Sequence, residues 1–118
     1  MTTTQGFTIA GVSVGDYSGY SVSGAGDFNG DGYYDVIIGA YYADPSGKSN
    51  AGSSYIIFGK ATSLSNINLA SLNLTQGIVI TGANVGDLNG YSVSGAGDFN
   101  GDGYSDVIVG SPYANRSE

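Results

Sequence analysis

The sequence predicts an all-β fold assembled from repeated sheets, and three observations carry that reading. First, residues 19–40 and 90–111 align without a gap at a separation of 71, and differ only where Tyr34, Ile38 and Ala40 give way to Ser105, Val109 and Ser111. Second, glycine reaches 21 residues and tyrosine 10, while proline is limited to 2. Third, short β-branched runs such as Val36-Ile37-Ile38 and Val107-Ile108-Val109 end in glycine, the pattern of strands joined by tight turns. Repetition on this scale implies an array in which each unit buries its faces against its neighbours.

Each period reads as four strands. Residues 7–10 form the first, which ends at Gly11. Residues 20–25 form the second, with Tyr20, Val22 and Gly24 on one face and Ser21, Ser23 and Ala25 on the other. Small side chains on both faces suit a strand in a crowded place. Residues 34–39 form the third, apolar throughout and therefore expected to be buried on both sides. A polar loop over residues 41–50 leads to the fourth, residues 52–58. Beyond it, Leu64, Ile67, Leu69, Leu72 and Leu74 read as apolar anchors laid over a neighbouring unit, in preference to a linker with one helical turn. The second period repeats strands at residues 78–81, 91–96 and 104–110, and has no counterpart of residues 52–58. Unit one thus covers about residues 6–76 and a truncated unit two about residues 77–118. Four short antiparallel strands per unit describe a β-propeller blade, so the chain holds about one and two-thirds blades.

The loop between the second and third strands carries the chemistry. Asp27-Phe28-Asn29-Gly30-Asp31-Gly32-Tyr33-Tyr34-Asp35 places an oxygen-bearing side chain at its first, third, fifth and ninth positions. Calcium takes about six to eight oxygen ligands, so Asp27, Asn29, Asp31 and Asp35, with the backbone carbonyl of Tyr33, can wrap one ion. The second copy offers Asp98, Asn100, Asp102, Asp106 and the carbonyl of Tyr104. About two Ca2+ ions per chain are therefore expected. A bare Asp/Asn/Gly turn does not require four such side chains at alternating positions, twice over. An EF-hand is excluded, because its twelfth position must be a bidentate glutamate and here is Ile38 or Val109.

Composition narrows the remaining classes. With 41% hydrophobic and 11% charged residues, the 118-residue chain is globular in character and fits one domain at most. The net charge is −7, and six of the ten acids lie in the two loops, where three neighbouring carboxylates repel one another until a cation relieves them. Only Lys48, Lys60 and Arg116 oppose them, which argues against nucleic acid as a partner. No apolar run approaches a membrane span, and residues 1–6 show no secretory signal. With no histidine and no cysteine, the usual general base and thiol nucleophile are missing, and the chain is read as non-enzymatic. Asp16 and Asp87 lie outside the loops, each in a Gly-Asp-x-x-Gly turn that suits an Asx-turn role better than catalysis.

At this point the residues carry a resemblance. Phe58-Gly59, Gly110-Ser111-Pro112 and the two Asp-Phe-Asn-Gly-Asp-Gly-Tyr-x-Asp loops resemble the FG-GAP repeats of integrin alpha-chain β-propellers and their bacterial relatives. Gly39-Ala40-Tyr41 departs from the GAP element by Tyr for Pro. The resemblance implies a larger ring of blades in which calcium rigidifies the loop joining the two innermost strands. It also implies an extracellular or cell-surface setting and a structural, adhesion or ligand-display role. Its partners would be other blades, in the same longer chain or by self-association, and a protein or carbohydrate ligand on the face opposite the ion loops. By the same resemblance, residues 12–18 and 41–50 are the loops that would meet such a ligand. Tyr17, Tyr20, Tyr33, Tyr34, Tyr41 and Tyr42 are able to stack on sugars, although tyrosine in strand-rich chains more often packs between sheets. The alternative is the propeller portion of a polysaccharide-acting or lipid-acting extracellular enzyme.

Overall fold

The computed structural model describes residues 7–60 and 66–114. Its strands in chain order are β1 (Ile9–Ala10), β2 (Ser21–Gly26), β3 (Asp35–Ala40), β4 (Ser53–Ile57), β5 (Ile67–Asn68), β6 (Gly77–Thr81), β7 (Ser92–Gly97) and β8 (Asp106–Gly110). One antiparallel sheet runs in the order β2-β3-β4-β6, and β7 and β8 form a second antiparallel pair. A short parallel pair joins β1 to β5. The all-β class expected from the sequence is thus the class observed, and the antiparallel sheets are consistent with part of a β-propeller.

The spatial sheet is offset from the sequence period. β6, which opens the second period, closes the first sheet by pairing with β4 from Ser53↔Thr81 to Ile57↔Gly77. The strand expected at residues 7–10 shrinks to β1 and stands outside that sheet. The reason is hydrogen bonding: the one free edge of β4 is taken by β6, so β1 pairs instead with β5, at Ile9↔Ile67. β5 itself was not foreseen.

Strand alternation buries both faces of the four-stranded sheet. On one face Ile38, Ala40, Tyr55 and Ile57 pack with Ile67 and Leu69, flanked by Phe7, Ile9 and Leu72. On the other, Ala25, Ile37 and Ile56 pack with Val93, and Ile78, Ile80, Val107 and Val109 complete the cluster. Burying Ile37 and Ile56, both at 0% exposure, contributes about 1.5–3 kcal/mol apiece. Ile67, Leu69 and Leu72 therefore do act as apolar anchors, but on the first sheet itself and not on a neighbouring unit, and Leu69–Ser71 adds one 3-10 turn. Leu74 is exposed, and Leu64 lies outside the described residues.

β2 lies against β7, and here the small residues of both strands explain themselves. Ser21 Oγ accepts from the Val93 N–H at 3.0 Å, and Ser23 Oγ from the Gly95 N–H at 3.4 Å. Larger side chains would hold the backbones apart. Gly39 meets the second unit as closely, since a Cβ there would run into the carbonyl of Gly90. Gly39→Ala is expected to lower stability by about 1–3 kcal/mol, the usual cost of overpacking, read from the midpoint of urea unfolding.

Candidate metal centre

Each acidic loop leaves its strand through a bulge. The register of β2 shifts between Gly24 and Gly26, and that of β7 between Gly95 and Gly97, which turns the chain out of the sheet. Gly32 and Gly103 then take φ of 91° and 92°, a left-handed conformation that side chains resist, and the loop reverses into β3 or β8.

In the second loop the acids converge. Carboxylate oxygens of Asp98, Asp102 and Asp106 all lie within 4.8 Å of one another. Oxygens held about 2.3–2.6 Å from one calcium ion are separated by distances of this size, so the donor set fits a hard divalent cation. Backbone amides hold the carboxylates in place. Asp98 accepts from the Asp102 N–H through Oδ1 at 3.0 Å and from the Gly103 N–H through Oδ2 at 2.9 Å. Asp106 Oδ2 accepts from the Phe99 N–H at 2.7 Å. The Tyr104 N–H, at 3.0 Å from Asp102 Oδ1, holds that carboxyl below the usual carboxylate range; desolvation opposes it less strongly, and the Asn100 side chain adds a lesser lowering.

The first loop has the same sequence up to Tyr33 and a different arrangement. Among the described residues the three-acid convergence occurs in the second loop alone. Asp27 makes the same backbone contacts as Asp98, with Oδ1 accepting from Asp31 N–H at 3.0 Å and Oδ2 from Gly32 N–H at 2.8 Å, and its Oδ1 also accepts from Gly30 N–H at 2.9 Å. Asp31 Oδ1 accepts from the Tyr33 N–H at 3.0 Å, while Asn29 is exposed. Asp35 is 2% exposed and bridges two segments, with Oδ2 accepting from the Phe28 N–H and Oδ1 from the Gly59 N–H, both at 2.8 Å. Sequence reasoning missed this second role. The bond ties the loop to the end of β4, and its only trace in the sequence is the Phe58-Gly59 element. The ring of Tyr104 lies against Gly30, so the two loops touch.

Asp16 and Asp87 are buried turn residues. The Asp87 Oδ2 accepts from the Asn84 N–H at 3.0 Å. Burial pushes the Asp16 carboxyl above its ordinary value of 3.8, opposed by a hydrogen bond from the Ser13 backbone and aided by the charge of Asp44. An acid whose folded pKa is raised favours the fold while protonated, and that contribution is lost as pH climbs from 3.8 through the raised value. Asp16→Asn is therefore expected to melt above the parent at pH 7 and level with it at about pH 3, as measured by thermal unfolding at the two pH values.

At the end of the sheet opposite the acidic loops, Tyr17, Tyr20, Tyr42 and Tyr91 gather around the buried Tyr41. Tyr17 and Tyr41 stack at 5.5 Å between ring centroids, and Tyr91 meets Tyr41 edge-on at 5.1 Å. Tyr33 and Tyr34 are exposed beside the first loop and stand apart from this group.

Comparison with known proteins points to one family. The model of the FG-GAP repeat matches residues 18–57 and 89–118. Integrin alpha pat-2 of Caenorhabditis elegans is 38% identical over 96 residues, covering 78% of this chain and 7% of that protein. Integrin alpha-PS2 of Drosophila melanogaster is 36% identical over 111 residues, covering 91% and 7%. Integrin alpha-8 of Homo sapiens is 35% identical over 122 aligned residues, covering 100% and 10%. The chain therefore spans a tenth or less of the length of these relatives. Among the described residues, no helix is long and apolar enough to cross a membrane.

Proposed function

Because the chain belongs to the FG-GAP repeat family, we propose that it is a calcium-binding β-propeller repeat module with a structural, adhesion or ligand-display role and no catalysis of its own. The observation that carries this reading is the convergence of Asp98, Asp102 and Asp106 within 4.8 Å. Asp98, Asn100, Asp102, Asp106 and the Tyr104 carbonyl would hold one ion, and Asp27, Asn29, Asp31, Asp35 and the Tyr33 carbonyl a second. A bound calcium ion supplies positive charge against carboxylates that otherwise repel. The residues do the rest. Asp98 and Asp106 anchor the loop ends through backbone amides, and Asp35 ties its loop to Gly59, so the angle between successive strands is fixed.

Other blades are the expected partners, in the same longer chain or in another copy. A protein or carbohydrate ligand would meet the opposite end, where residues 12–18 and 41–50 carry the exposed tyrosines. An extracellular or cell-surface setting follows from the same family reading. The test is thermal unfolding, followed by circular dichroism, in calcium and in chelator. A higher midpoint in calcium is expected for the parent chain and a smaller shift for an Asp31→Ala, Asp102→Ala variant. Identical midpoints for the parent in both buffers would overturn the reading.

A further inference from the structure

The two acidic loops touch through residues that stand among the proposed cation donors. Ser105 lies between Tyr104, whose carbonyl is one donor of the second site, and Asp106, whose carboxylate is another. Its backbone N–H leaves its own loop and donates to the Asp27 carbonyl at 3.2 Å. Its side chain packs on Gly26, at the bulge that launches the first loop, closely enough that an added Cβ there would strike it. The Tyr104 ring lies over Gly30, where an added Cβ would strike the ring.

These contacts act on Asp27 and on the turn it supports. The Asp27 carboxylate accepts from the Gly30, Asp31 and Gly32 N–H groups and so braces the first loop. Ser105 holds the backbone at the root of that brace, and Tyr104 holds the turn at its tip.

We propose that Tyr104 and Ser105 are positioning residues that couple the two loops, so that calcium in the second site raises the affinity of the first. This rests on the cation reading of the proposed function and adds a dependence between its two sites. Filling the second site engages the Tyr104 carbonyl and the Asp106 carboxylate, which fixes Ser105 from both sides. The Asp27 carbonyl and Gly30 are then held by residues already in place, so ordering the first loop costs less conformational entropy. By linkage, an ion in the first site favours the second by the same factor. Charge acts in the opposite sense, because an ion in one loop weakens the negative field that draws a cation to the other. Salt at about 0.15 M screens that field over about 8 Å and leaves the hydrogen bond and the ring contact intact, so the contacts prevail there.

The test is calorimetric titration of calcium chloride, in about 0.15 M salt, into the parent chain, Asp31→Ala and Asp102→Ala. Each variant keeps one site, so the product of their dissociation constants is the value for independent sites. In the parent that product is expected to be lower by about 5-fold or more. The same three titrations in a Tyr104→Ala background are expected to bring the two products together, whereas Tyr104→Phe, which keeps the ring, preserves the difference. Amide hydrogen exchange gives a second readout. In Asp31→Ala, calcium is expected to slow exchange at Gly30 and Gly32 more than at Ile56 of the sheet core, although the first loop holds no ion. Adding Tyr104→Ala is expected to abolish that excess. Equal products in a parent that binds two ions, or no excess slowing at Gly30 and Gly32, would overturn the coupling and leave the cation reading standing. A parent that takes up no calcium would overturn both.

Discussion

Asp35→Ala is expected to remove a large part of the chain's stability, while the same change at Asp106 is tolerated. The Asp35 carboxylate is 2% exposed and accepts from two backbone amides, one of them 24 residues away at Gly59. Alanine leaves both N–H groups without a partner, at about 1–3 kcal/mol each, and a domain is stable by only about 5–15 kcal/mol in all. Asp106 holds the Phe99 N–H in a more open setting, so its loss costs about 1 kcal/mol. Urea unfolding of both variants in chelator isolates this effect from any cation. Equal losses at the two positions would show that the Gly59 bond contributes nothing.

The second large effect is expected at Asp98. Its two oxygens accept from Asp102 and Gly103, and the same carboxylate belongs to the three-acid cluster. Asp98→Ala removes the loop's anchor and one of its three converging charges. At calcium a hundredfold above its dissociation constant, one site stabilises the fold by about 2.7 kcal/mol, and the variant is expected to forfeit that increment. The comparison is the rise in unfolding midpoint on adding calcium, parent against variant. Asp98→Asn separates shape from charge, since the amide keeps one acceptor oxygen and loses the negative charge.

Much of this was legible in the residues. Alternating Asp and Asn positions marked both loops, and short apolar runs bounded by glycine marked β3, β4, β6 and β8, because those signals are local. What depended on distant parts of the chain was not legible. Nothing near Gly77–Thr81 says that it completes the sheet begun at Ser21, since pairing with β4 is decided by which edge is free. The bond from Gly59 to Asp35 joins segments that the sequence keeps far apart. The difference between the loops is also contextual. Asp35 has the end of β4 beside it and Gly30 has the Tyr104 ring, whereas an added Cβ at Gly101, the mate of Gly30, would meet nothing within 4 Å.

The most direct measurement is calorimetric titration of calcium into the metal-free chain. Saturation at two ions per chain is predicted, falling to one when Asp102 alone is replaced by alanine. No heat at millimolar calcium, with the β signal unchanged, would contradict the account.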